Sequence, residues 1–183
     1  ALAPLAGSGV PIVFCEPGCY SAVKDDHPLL LRGAARETAE EISRLCMTFE
    51  EWAGGAMASR EEGTGEGDSP LSPGPGRILL HAHCHQKALG GLGAALSLLS
   101  RIPEAEVFDA DAGCCGMAGS FGYEKEHYEV SRAIGERKLF PAIRDSGPET
   151  TVVAPGFSCR QQIRHFTGVK PVSTMELLES LLL

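Results

Sequence analysis

Two kinds of apolar pattern alternate along the chain. Short, nearly continuous apolar runs occupy residues 11–15, 77–81, 106–109 and 150–154, and each leads into a turn rich in Gly, Pro or Cys. Runs of that length predict strands buried on both faces, as in a parallel sheet. Between them the apolar positions move to spacings of three and four. Ala39, Ile42, Leu45, Cys46 and Phe49 form one such set, and Leu89, Leu92, Leu96 and Leu99 another. These spacings predict helices over residues 34–52, 87–100 and 124–144. A shorter helix is expected from Cys159 to Ile163, then a short strand at Pro171-Val172 and a last helix over 175–182. Strand, loop and helix therefore repeat four times, which predicts an α/β fold: an open parallel sheet with crossover helices.

Residues 54–76 break the pattern. The stretch Glu61-Glu62-Gly63-Thr64-Gly65-Glu66-Gly67-Asp68-Ser69-Pro70 is polar and rich in Gly and Pro, and reads as a flexible linker. A faint repeat spans it. Aligning Cys19 with Cys159 sets Ile12-Val13 over Val152-Val153, with an apolar helix later in each copy. The expected organisation is the C-terminal part of a first unit over 1–53, a linker over 54–76, and a second unit over 77–183. The chain is expected to begin inside the first unit of a longer protein.

Composition narrows the function. The 183 residues are 43% hydrophobic, enough for a folded core, and the 22 glycines suit tight strand-to-helix turns. The net charge of −8, with no basic cluster, argues against a nucleic-acid partner. No run approaches the ~20 apolar residues that span a bilayer. No export signal is visible, so a reducing cytoplasmic setting is expected, with a peripheral place at the inner membrane as the other option. Seven cysteines, an odd number, argue against a disulfide framework and for metal or redox chemistry.

The positions of those cysteines carry the chemistry. Cys15 and Cys19 follow the first predicted strand, Cys84 the second, Cys114 and Cys115 the third, and Cys159 the fourth. A parallel sheet delivers all its carboxyl ends to one edge, where ligands bind. Thiolates are soft donors suited to zinc, copper(I) and iron–sulfur clusters. Cys84, Cys114, Cys115 and Cys159 supply the four thiolates a cubane takes. Gly113, Gly116 and Gly119 let backbone pass close to a bulky cluster and point N–H groups at it. Cys15 and Cys46 read as core residues.

The pattern Cys84, Cys114-Cys115-Gly116, Cys159 resembles the cysteine-rich CCG domain. That domain occurs in the heterodisulfide reductase B subunit, the glycolate oxidase iron–sulfur subunit, and related lactate-utilisation and glycerol-3-phosphate dehydrogenase proteins. Longer segments are similar to the C-terminal region of fused FAD-linked D-lactate and D-2-hydroxyglutarate dehydrogenases. They are His81-Ala82-His83-Cys84-His85-Gln86-Lys87-Ala88, Asp111-Ala112-Gly113-Cys114-Cys115-Gly116-Met117-Ala118-Gly119 and Gly156-Phe157-Ser158-Cys159-Arg160-Gln161-Gln162-Ile163. The resemblance implies a [4Fe-4S] cluster on Cys84, Cys114, Cys115 and Cys159, with Cys19 serving a second cluster in the first unit. It implies FAD on a domain outside this chain, a ferredoxin-like segment, and an electron acceptor as partners. The chain alone is then not expected to be active. The heterodisulfide reductase pattern ends in Cys-x2-Cys, whereas this chain has Gly156 and Cys159, and Glu16 and Cys19. Each unit is one thiolate short, which favours an electron relay over a thiol–disulfide catalytic site.

Other readings stay open at this point. A zinc-binding structural or interaction domain could use the same thiols together with His81, His83 and His85. For His83 and His85 a role beside the ligands, rather than as ligands, is preferred. Arg160 is read as neutralising cluster charge, and Tyr123 and His127 as facing the cluster edge or a partner.

Overall fold

The computed structural model describes residues 1–64 and 69–183. All sheet pairing between its strands is parallel. β1 (Ile12–Phe14) pairs with β2 (Cys46–Thr48) in a two-stranded sheet, Ile12 opposite Cys46 and Phe14 opposite Thr48. β3 (Arg77–Leu80) lies at the centre of a three-stranded sheet between β4 (Glu106–Asp109) and β5 (Thr150–Val153). The α/β fold with parallel strands is as expected, but it is divided between two sheets. In the larger one Leu80 stands opposite both Asp109 and Val153, so the three strands end level with one another. That shared edge is where the loops to Cys84, Cys114-Cys115 and Cys159 begin.

Alternation along the strands places core on both faces of the larger sheet. Ile78, Leu80 and Val153 pack on one side with Leu98, Leu99, Leu177 and Leu178. Leu79 and Val152 pack on the other with Phe140, Ile143, Cys115 and Cys159. Two of the cluster-candidate thiols thus belong to a hydrophobic core, which fixes their positions.

Helices connect the strands. α1 (Pro17–Ser21), a π-helical turn over 22–26, α2 (His27–Leu30) and α3 (Gly33–Leu45) cross from β1 to β2. α4 (Phe49–Thr64) follows β2, and α5 (Cys84–Leu89) and α6 (Gly93–Leu99) join β3 to β4. α7 (Tyr128–Glu136) and α8 (Leu139–Asp145) join β4 to β5, and α9 (Phe157–Thr167) and α10 (Thr174–Leu181) close the chain.

Each of the three long predicted helices is interrupted, for a different reason. The one over 34–52 breaks where Cys46 turns extended to pair with β1. Thr48 restarts it: its N–H donates to Glu51 Oε2 at 2.8 Å, and its Oγ1 accepts from the Glu51 N–H at 3.2 Å, a capping box. The one over 87–100 breaks at Gly90-Gly91, where Gly91 takes φ 74°. The one over 124–144 breaks before α8 because the ring of Pro141 would meet the carbonyl of Arg137, four residues back. Lys138 there leaves the helical region at φ −149°.

The expected linker is also corrected. Residues 54–64 continue α4. Phe49, Ala53 and Met57 on that helix pack into the same core as Ile78 and Leu98. Leu71 is 3% exposed, and the Ser72 N–H donates to the Leu181 carbonyl at 2.8 Å. A helix with a core-facing stripe stays helical despite Gly54-Gly55 because burial outweighs ~1 kcal/mol per glycine. Residues 65–68 of the expected linker lie outside the described residues.

One order of elements occurs twice. β1, α1, β2 and α4 are echoed by β5, α9, a parallel bridge from Val153 to Val172, and α10. The capping box of Thr48 and Glu51 is echoed by one of Ser173 and Glu176. The two copies touch through buried polar groups. The Thr174 hydroxyl donates to Glu50 Oε1 at 2.8 Å, with both residues under 5% exposed. Glu16 Oε2 accepts from the Phe157 N–H at 2.8 Å, at the start of α9. Among the described residues no helix is long and apolar enough to cross a membrane.

Candidate metal centre

Three strand ends bring four thiols together. Cys84 opens α5, Cys114 and Cys115 sit in the loop after β4, and Cys159 lies in the first turn of α9. They form a chain of hydrogen bonds, with Cys84 and Cys115 both bonded to Cys114, and Cys115 also bonded to Cys159. Cys115 and Cys159 are buried, while Cys84 and Cys114 are partly exposed.

Protonation alternates along this chain. The Cys114 thiol is held far below its ordinary range, first by the hydrogen bond from Cys115, then by that from Cys84, and by the backbone N–H groups of Gly116 and Ala118. Cys159 is also pushed well down, chiefly by the hydrogen bond from Cys115, with His81 and His83 adding to it against the cost of burial. Cys115 and Cys84 are pushed far up, because each hands its hydrogen bond to Cys114 and burial disfavours charge. Two thiolates are thus each matched to a thiol. Full ionisation of such a set needs a bound cation, which is what a metal centre supplies.

The Cys114-Cys115 loop is shaped to point N–H groups at sulfur. Gly116 donates to Cys114 Sγ at 3.3 Å. It takes φ 102°, and a Cβ there would overlap the Ser131 carbonyl, so only glycine fits. Ala118 at φ 41° is a strained non-glycine in the same turn. The turn is pinned from outside by the buried pair in which Gln162 Nε2 donates to Ser131 Oγ at 2.7 Å. The Lys87 ammonium donates to the Ala112 carbonyl, tying α5 to this loop. Gly113 has open space where a Cβ would sit and an unremarkable φ, so its glycine is not forced by the fold. It lines a cavity of about 370 Å³ with Asp111, Cys114, Arg137 and Lys138, which gives the centre a mouth to solvent.

The three histidines separate clearly. His81 follows β3 directly, with its backbone N–H donating to the Val153 carbonyl at 2.8 Å. It is 1% exposed, and neither ring nitrogen makes a hydrogen bond of normal geometry. Its ring nitrogen and the sulfurs of Cys115 and Cys159 lie within 4.8 Å of one another. His83 caps α5, its Nδ1 accepting from the His85 N–H at 3.2 Å. Its ring fills the space over Gly156, where a Cβ would overlap it while lying 3.3 Å from Cys159 Sγ. His85 instead faces α1, with Nδ1 2.6 Å from Ser21 Oγ.

Several sequence expectations are corrected here. His85 packs against the first copy, not the thiols. The Arg160 guanidinium donates to the Ala154 and Pro155 carbonyls at 2.9 and 2.6 Å, so it braces the β5 end that carries Cys159 rather than neutralising the site. Cys15 is exposed, not core, because β1 ends at Phe14. Cys46 is core as expected, its thiol donating to the Ile42 carbonyl at 3.2 Å, though it starts a strand rather than lying in a helix. Cys19 is exposed on α1 and joins no group of metal-ligating side chains among the described residues. His127 stacks on Phe121 with ring centres 3.9 Å apart, and Tyr123 is exposed. Ser131, Gln162 and Lys87 carry no chemical signal in the sequence and are found only from their contacts.

The donor set fits an iron–sulfur cluster on its own chemistry: clustered soft thiols, N–H groups aimed at sulfur, and a buried imidazole without a partner. Comparison with characterised proteins agrees on the kind of protein. The chain is 31% identical over 170 residues to the C-type subunit of the anaerobic glycerol-3-phosphate dehydrogenase of Escherichia coli K12. It is 29% identical over 165 residues to the D-2-hydroxyglutarate dehydrogenase of the same strain, and 30% over 166 residues to that of Pantoea ananatis. These matches cover 90–93% of this chain. No family model and no solved structure matches it. The chain spans 40% of the length of the glycerol-3-phosphate dehydrogenase relative and 15% of each D-2-hydroxyglutarate dehydrogenase. Its homologues are therefore dehydrogenases or dehydrogenase subunits, each considerably longer than the segment they share with it.

Proposed function

We propose that this chain is the iron–sulfur electron-transfer module of a flavin-linked dehydrogenase. The observation that carries the reading is the gathering of Cys84, Cys114, Cys115 and Cys159 by three level strand ends. When bound there, a 4Fe-4S cluster supplies a one-electron carrier. The residues of this chain do the rest. The four thiols would ligate, the N–H groups after Cys115 would stabilise negative charge on sulfur, and the hydrophobic core around Cys115 and Cys159 would exclude water.

The comparisons favour a relay over a substrate site. A segment shared by relatives named for glycerol 3-phosphate and for D-2-hydroxyglutarate is poorly suited to distinguish those substrates. It suits the step they have in common: two electrons reach a flavin outside this chain and leave singly through the cluster to an acceptor. D-lactate or D-2-hydroxyglutarate remains our preferred substrate class, oxidised outside this chain. We also keep the two-unit reading, in which Cys19 serves a second cluster completed from outside this chain.

One observation favours zinc as a second reading: His81, Cys115 and Cys159 are close enough for one tetrahedral ion. A heterodisulfide-reducing site is disfavoured because the His83 ring fills the space over Gly156. The test is anaerobic reconstitution with iron and sulfide, followed by reduction with a photoreduced flavin. The proposal expects visible sulfide-to-iron absorbance that bleaches as electrons arrive. A protein that takes up zinc but no sulfide supports the second reading instead.

A further inference from the structure

The most buried polar group at the centre has no partner. His81 is 1% exposed on the central strand's end, and both Nδ1 and Nε2 lack hydrogen bonds of normal geometry. Burying an imidazole this way is costly unless something completes it. Its neighbours account for the other two histidines. His83 Nδ1 is occupied by the His85 N–H, and His85 Nδ1 by Ser21. His81 alone of the three is both unpartnered and placed among sulfurs.

The chain also lacks a thiolate at Gly156, and it could not hold one without displacing His83. We infer that His81 is a nitrogen ligand of the metal centre, bound beside Cys159 at the buried end of the donor set. An imidazole offers one lone pair to a metal and one N–H to a sulfur, so a bound centre gives each nitrogen the partner it lacks. Five protein donors on a four-iron cluster require one iron to carry two of them. Cys159 and His81 lie against each other and are the pair placed to share it. Replacing a negative thiolate by a neutral imidazole makes reduction easier, as with histidine-ligated two-iron centres. The centre is then a mixed sulfur–nitrogen site tuned toward accepting electrons.

This inference rests on the iron–sulfur reading above, and the experiment separates the two. The chain is prepared with 15N-histidine, reconstituted anaerobically and reduced, and the paramagnetic cluster is examined by pulsed electron–nuclear spectroscopy. A directly bonded 15N coupling is expected. It should persist in His83→Asn, whose amide can still cap α5, and vanish in His81→Cys while iron content is kept. His81→Cys should also lower the midpoint potential. A cluster that forms without nitrogen coupling, or one whose coupling is lost in His83→Asn and kept in His81→Cys, overturns the assignment to His81 and leaves the iron–sulfur reading standing. Failure of the wild-type chain to take up iron and sulfide overturns both.

Discussion

A ligand that waits unpartnered in the core should weaken the protein that holds it. His81 makes this measurable in the metal-free chain. Its ring sits at 1% exposure with one donor and one acceptor unmet. The Cys159 thiol beside it is a weak donor at best, so it returns little of the lost hydration. Leaving a buried polar group unsatisfied costs about 1–3 kcal/mol. Leucine is close to histidine in volume and has no polar atoms, so repacking should cost under ~1.5 kcal/mol. His81→Leu is therefore expected to stabilise the metal-free protein by about 1–2 kcal/mol net. For a chain of this size each kcal/mol raises Tm by about 2–4 °C. The assay is urea unfolding under argon, with chelator and reductant, followed by circular dichroism. The same variant should bind less iron on reconstitution. A metal-free His81→Leu protein less stable than wild type by about 1 kcal/mol or more, with an unchanged urea slope, refutes the reasoning. It would mean that the imidazole is satisfied within the fold.

Other residues give separate tests. Gly156→Ala forces a Cβ into the His83 ring and should cost about 1–3 kcal/mol in urea unfolding. Pairing it with His83→Ala should recover most of that loss. Thr174→Val removes the hydroxyl that donates to buried Glu50, and should cost about 1–3 kcal/mol by loosening the contact between the two copies. Glu176 has its carboxyl held below the ordinary 4.5 by the Ser173 N–H and hydroxyl. Its contribution, about 0.5–1 kcal/mol for a first-turn cap on an exposed helix start, is fully present above that value. Because the folded-state carboxyl is depressed, that contribution is lost as the pH falls through its folded pKa. The stability gap between wild type and Glu176→Gln, measured from about pH 7 downward, should close in the acid range. A gap that widens instead contradicts the capping role.

How much of this could be read from the sequence depends on how local each cause is. The strands of the larger sheet are legible because burial on both faces leaves unbroken apolar runs such as Ile78-Leu79-Leu80. The thiols after those runs then fall to one edge by topology alone. The breaks at Pro141 and Gly90-Gly91 are local and could have been placed from the residues themselves. The break at Cys46 could not, since it depends on pairing with Ile12, more than thirty residues earlier. The helix over 54–64 was hidden by its glycines, and its core-facing Met57 gains meaning only beside Leu98. His81 stood in view among three histidines. Only its burial on the central strand, and the contacts that occupy His83 and His85, single it out.

The central claim is a cluster built on the four gathered thiols. It is tested most directly by iron, acid-labile sulfide and zinc analysis of the anaerobically reconstituted chain beside its Cys115→Ser variant. Cys115 links Cys114 to Cys159, so its loss divides the donor set. The account predicts iron and sulfide in equal amounts, approaching about four of each per chain, in the wild type. It predicts a fall by half or more in Cys115→Ser, with no zinc in either. Zinc without sulfide in the wild type, or iron and sulfide unchanged by Cys115→Ser, would contradict it.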